Sequence, residues 1–198
     1  MWPKNKKQTF LVNLAKEIAK EIETTAPEYD RKATFPHQHF KLMKENGYLG
    51  SVVPTVNGGA GHGLTDLVLA QYEIGRGDGS TAVAVGMHHM IVGTEIEART
   101  WPDLLRQKLF TEIARDGVLI NSIASEPDLG SPRGGGRPTT ALRKSGNGQW
   151  LLNGRKTWST MAPGLTYAIV YVAIEDGSED TARILQRMDS KGIAIEET

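Results

Sequence analysis

Cysteine is absent from the 198-residue chain. That excludes a disulfide framework, a thiolate zinc site and a cysteine nucleophile. It also fits a reducing compartment, and a cytoplasmic location is the expectation. Charge of either sign is not in excess: 23 Lys and Arg balance 23 Asp and Glu. Such a balance argues against nucleic acid or an anionic membrane as the main partner. Long apolar runs are missing too. The longest, YAIVYVAI at 167–174, is far too short to cross a bilayer as a helix. No apolar segment follows the basic start MWPKNKKQTF, so no signal peptide is read. These absences predict a soluble globular protein.

Several catalytic signatures are also lacking. GGAGHG at 58–63 has neither the offsets of G-x-G-x-x-G nor a following Gly-Lys-Ser/Thr, so it reads as a structural turn. SEPDLGS is not a G-x-S-x-G elbow. His88 and His89 are adjacent on a helical stretch, so their side chains point about 100° apart and cannot share a metal as an i, i+4 pair could. His37, His39 and His62 have no ligand-like spacing to them. The favoured reading for the pair is a histidine satisfied by a backbone carbonyl; the other is one ring facing a ligand pocket.

What is present changes texture part-way along the chain. Leu11, Leu14, Ala15, Ile18 and Ile22 recur at helical spacing. A second helix is predicted from Pro36 to Asn46, stopped by Gly47, and Thr65 is the expected cap of a third. Ser80 is the expected cap of a fourth, apolar nearly all round and therefore buried; Pro102 opens a fifth, ended by Gly117. From Val118 the runs are short and β-like, separated by SGNG, NG and EDGSED. Asn153–Gly154 reads as a two-residue hairpin turn between QWLL and RKTWST. The fold class predicted is α+β: an all-helical domain over 1–117, then a mainly antiparallel and incomplete β domain over 118–198.

One loop stands out. ASEPDLGSPRGGG, 124–136, follows the strand-like VLINSI directly. A strand stopped by such a loop leaves N–H groups without ladder partners, free for an electron-rich ligand edge. Ser125 and Ser131 add hydroxyls, and Trp158 in TWST offers a flat aromatic between hydroxyls. Taken alone, Glu126 reads as a solvated turn acid and Trp158 as a core residue.

Taken together, Ser125-Glu126-Pro127, Gly130-Ser131, Asn153-Gly154, Lys156 and Trp158-Ser159-Thr160 resemble the acyl-CoA dehydrogenase family in order and spacing, as does the connector GYLGSVVPTVNGGAGHG. The resemblance implies an N-terminal helical domain, a middle β domain and a C-terminal helical domain, of which this chain matches the first two. It implies FAD held by Ser122, Ala124, Ser125, Gly130, Ser131, Trp158, Ser159 and Thr160, with Ser131 also near the CoA of an acyl-CoA substrate. The acyl pocket would be bordered by 83–92. The catalytic base is expected in the C-terminal domain, so no catalytic residue is assigned here. An electron-transfer flavoprotein or similar acceptor, and a homo-oligomer, are implied as partners. The sequence departs from the family pattern at Ser125, at Pro132 and in RGGGRP. The pair His88–His89 resembles instead a monooxygenase branch of the superfamily, which would use reduced FMN with these histidines in catalytic roles. A non-catalytic binding or assembly fragment is the remaining alternative.

Overall fold

A computed structural model describes residues 2–129 and 136–196. The chain divides into two compact units, Met1–Leu119 and Ile120–Thr198. The first is helical: α1 (Lys6–Lys32), α2 (His37–Glu45), α3 (Leu64–Gly77), α4 (Gly79–Ala98) and α5 (Asp103–Asp116). The glycine-rich connector between α2 and α3 forms two short 3-10 turns, Tyr48–Gly50 and Thr55–Asn57.

The apolar stripe of α1 is buried as its periodicity predicts, with Leu11, Ala15, Ile18 and Ile22 at 2% exposure or less. Gly117 ends α5 in a left-handed conformation, φ 59°. Two caps differ from expectation. Asp78, not Ser80, caps α4: its carboxylate accepts from the N–H groups of Ser80 and Thr81. A carboxylate can take both donors at the positive end of the helix, which a single hydroxyl cannot. At α3, Gly63 is the cap residue, and its own N–H bonds to the Asp66 side chain.

The second unit is a sheet of β1 (Ile120–Ile123), β2 (Ala141–Lys144), β3 (Trp150–Asn153), β4 (Tyr167–Ile174) and β5 (Thr181–Arg187). It is mainly antiparallel, as expected, with β2 also antiparallel to β3, but it includes parallel pairs. β4 pairs antiparallel with β5, whereas β1 and β2 both run parallel to β4. The connections from β1 and β2 to β4 are long enough to cross over, which a parallel neighbour requires. β1 covers Tyr167–Val170 of β4 and β2 covers Ala173–Ile174, so the two share one edge of β4 end to end.

The β2–β3 hairpin turns at Gly146–Gly148, where the N–H of Ser145 donates to the carbonyl of Gln149. Asn153–Gly154 is therefore not a hairpin turn; β3 ends at Asn153. Gly154, at φ 150°, instead lies against Thr140, where a Cβ would sit 2.5 Å from the Thr140 Cα. Glycine serves here for close backbone approach rather than for reversing the chain.

Candidate functional site

Between the end of β1 and the start of β2 the chain leaves the β4 edge and comes back. Glu126 ties the exit to the return. Its Oε2 accepts from the N–H and the hydroxyl of Thr139, at 2.7 and 2.6 Å. Its Oε1 accepts from the N–H of Thr140 at 3.0 Å and from Lys156 Nζ at 2.7 Å. The carboxylate is buried, 1% exposed, and the lysine side chain is 7% exposed. Burial alone would push the carboxyl pKa up; the bonds from Lys156, Thr139 and Thr140 outweigh it and hold the group well below the usual carboxylate range. Glu126 is thus not the solvated turn acid that the sequence suggests. It joins 124–126, 139–140 and the segment after β3.

That last segment runs beside the strand end. The N–H of Thr157 donates to the Ser125 carbonyl at 3.0 Å, and Lys156 Nζ donates to the Ala124 carbonyl at 3.2 Å. Asn121, buried in β1, donates from Nδ2 to the Thr160 carbonyl at 3.0 Å. The carbonyls of Ala124 and Ser125 are therefore both occupied. Among the described residues, no hydrogen bond uses the N–H of Ala124 or Ser125, or the Ser125 hydroxyl. The Thr157 hydroxyl is buried without a partner.

Trp158 follows directly. It is 82% exposed and adopts a left-handed backbone, φ 53°, in a tight turn closed by a bond from the Thr160 N–H to the Trp158 carbonyl. A non-glycine residue in that region is strained, and such strain persists only where neighbours hold it. Trp158 is thus not a core residue. Ser159 and Thr160 are half-buried beside it, and Ser122 lies half-buried on β1. Gly130 and Ser131 lie outside the described residues. The structure thus brings the segment that leads into Trp158–Thr160 against Ala124 and Ser125. Sequence reasoning missed the roles of Glu126, Asn121, Thr139 and Thr140, and saw Lys156 only as a motif letter. The one local signal was an acid before a proline at a strand end.

His88 and His89 lie on α4, both fully buried. His88 Nε2 donates to the Leu49 carbonyl at 3.0 Å. The His89 ring meets Tyr48 edge-on at 5.2 Å, and neither of its nitrogens has a hydrogen-bond partner. Burial, with His88 beside it, holds its pKa well below 6.5. Among the described residues no cluster of His, Asp and Glu could hold a metal ion, and no helix is long and apolar enough to cross a membrane.

Comparison with known proteins decides the family. The model of the acyl-CoA dehydrogenase N-terminal domain matches residues 5–116, and that of the middle domain matches 122–198. The chain belongs to the acyl-CoA dehydrogenase family. Within this family it is 36% identical over 181 residues to the putative acyl-CoA dehydrogenase YdbM of Bacillus subtilis, covering 91% of this chain and 47% of YdbM. It is 34% identical to the amino sugar nitrososynthase RubN8 of Streptomyces rubradiris, over 75% of this chain and 34% of RubN8. Among solved structures, KijD3 in complex with FMN and a dTDP-amino sugar superposes with a TM-score of 0.82 at 28% identity, covering 96% of this chain and 46% of KijD3. The glutaryl-CoA dehydrogenase of Mycobacterium smegmatis, in complex with FADH2, shares the fold at 22% identity and a TM-score of 0.77, over 98% of this chain and 48% of that one. The chain spans about half the length of the relatives it matches, or less.

Proposed function

We propose that this member of the acyl-CoA dehydrogenase family forms the flavin-binding part of an oxidoreductase that oxidises a CoA thioester at the α,β bond. The observation that carries the reading is the division of polar groups at 124–125: the carbonyls are engaged internally, while two N–H groups and a hydroxyl find no partner among the described residues, next to the segment that leads into an exposed tryptophan. A flavin offers an electron-rich polar edge and a flat ring, and this donor set with Trp158 fits both.

Bound flavin would supply the hydride acceptor, which becomes anionic on reduction. The protein's part is to orient and to stabilise. Ala124 and Ser125 would donate to the polar edge; because Lys156 and Thr157 hold the neighbouring carbonyls, no acceptor competes there. Trp158 would cover the ring, with Ser159 and Thr160 fixing its edge. Ser122 supports this set from β1, and Gly130 and Ser131 are proposed for the phosphates and the CoA. Glu126 is not a proton acceptor, since its carboxylate already takes four hydrogen bonds and stays ionised. The base is assigned to the family's C-terminal domain. Electrons would pass to an electron-transfer flavoprotein or similar acceptor, in a cytoplasmic homo-oligomer.

A second reading, a reduced-flavin monooxygenase, draws support from the likeness to RubN8 and KijD3. It would engage His88 or His89, but both rings pack on Tyr48 and Leu49 within the helical unit, which favours the dehydrogenase reading. The test is titration of the purified chain with FMN and FAD, followed by acyl-CoA. Quenching of flavin fluorescence, then a further spectral change on adding acyl-CoA, is expected. Flavin binding without an acyl-CoA response would sink the substrate class; no flavin binding would sink the reading.

A further inference from the structure

Lys156 and Glu126 make a buried charge pair, with side chains 7% and 1% exposed. Stability alone does not call for it, because replacing a buried ion pair with packed apolar groups is often neutral or stabilising. Its orientation is distinctive. The ammonium lies between Glu126 Oε1 and the Ala124 carbonyl, while the rest of the carboxylate is turned toward Thr139 and Thr140. The positive end of the pair is thus the end in contact with the strand terminus that carries the open donors.

We propose that the Lys156–Glu126 pair positions the flavin-binding edge and also sets its charge balance, so that the site favours reduced over oxidised flavin. The inference rests on the flavin reading above. Neither residue touches the ligand; both act through Ala124 and Ser125. Three features carry it. The cation holds the Ala124 carbonyl away from the open donors. The anion bonds to Thr139 and Thr140, so the residue that follows Ser125 is fixed to the start of β2. And inside a buried site a charge acts at low effective dielectric, so removal of either partner leaves an unscreened charge beside the donors.

A merely structural pair and a charge-balancing pair behave differently. If the pair only holds shape, losing either member weakens both redox forms alike. If it balances charge, the two losses act in opposite senses on the anionic reduced form. The experiment is anaerobic titration of the chain with oxidised FMN and with dithionite-reduced FMN, comparing the two dissociation constants. E126Q leaves the ammonium unbalanced and should raise the preference for reduced FMN about fivefold or more. K156M leaves the carboxylate unbalanced and should lower it by a similar factor. K156R should preserve the preference, and Thr139→Val, which removes a bond to Glu126 but no charge, should change both affinities without changing their ratio. Should K156M not fold by circular dichroism, Lys156→Gln serves as the neutral variant, since its amide still donates. Ratios that move together, or stay fixed in folded E126Q and neutral-156 variants, overturn the inference while the flavin reading stands. Failure of the unsubstituted chain to bind FMN in either state overturns both.

Discussion

Gly154 lies so close to Thr140 that a Cβ would come within 2.6 Å of the threonine hydroxyl oxygen as well as 2.5 Å of its Cα. The contact fixes the segment carrying Lys156 and Trp158 to the start of β2, and the obstacle is backbone, which cannot swing aside. Gly154→Ala should therefore destabilise the second unit by about 3 kcal/mol, combining overlap with an unfavourable φ. Gly146, with open space around it, is the control. Urea denaturation should show a lower midpoint for G154A and almost none of that shift for G146A.

The Glu126 carboxylate, with a pKa held below its ordinary 4.5 in the folded protein, ties acid stability to this site. The unfolded chain takes up a proton first as pH falls. The stability that Glu126 contributes is thus complete above about pH 4.5 and is lost progressively as pH drops toward the folded value. Glu126→Gln should flatten that acid limb in a series of denaturation curves. K156M, which strands a buried carboxylate, should cost about 3–5 kcal/mol at neutral pH.

His89 acts in the same direction in the helical unit, but through burial of a neutral ring rather than pairing of a charge. With both nitrogens unpartnered and its pKa well below 6.5, the folded state resists a proton that the unfolded state accepts. Stability should fall as pH drops below about 6.5. His89→Phe keeps an aromatic ring against Tyr48 and removes the unsatisfied N–H, so it should stabilise the protein by about 1–3 kcal/mol and lessen that slope, leaving the part due to His39, whose pKa burial also lowers. Thermal melts at pH 5 to 8, about that span, would read both effects. A destabilised variant would contradict the account.

Trp158 contributes surface rather than core. Trp158→Ala should leave the melting temperature nearly unchanged, within about 0.5 kcal/mol, because the side chain is 82% exposed. FMN affinity should fall about tenfold, since the large aromatic face is lost. Equal losses in stability and affinity would mean that the indole is structural.

The helices were legible because α1 repeats its apolar positions on one face, and Gly117 stops α5 with a left-handed turn. The α4 cap was misassigned because Ser80 and Asp78 are both good capping residues two positions apart, and only geometry shows which side chain accepts. The neighbourhood was legible in outline: the segment bearing Lys156 and Thr157 does meet Ala124 and Ser125. Its foundation was not. The partners of Glu126 lie 13, 14 and 30 residues away, and no local pattern joins a carboxylate to Thr139, Thr140 and Lys156. Asn153–Gly154 has the residues of a type I′ turn, yet the chain uses the glycine for contact with Thr140, a demand that arises only once β2 is in place.

The tandem placement of β1 and β2 along one edge of β4 has a consequence for how the second unit forms during synthesis. β2 and β3 can close their hairpin as soon as Asn153 has left the ribosome, but β1 has no sheet partner until Tyr167–Val170 emerges. Both parallel pairings then become available on the same strand, one after the other. Assembly of the unit is timed by a single late segment, and an elongation pause just before β4 would leave the strand end at Ala124 exposed longest.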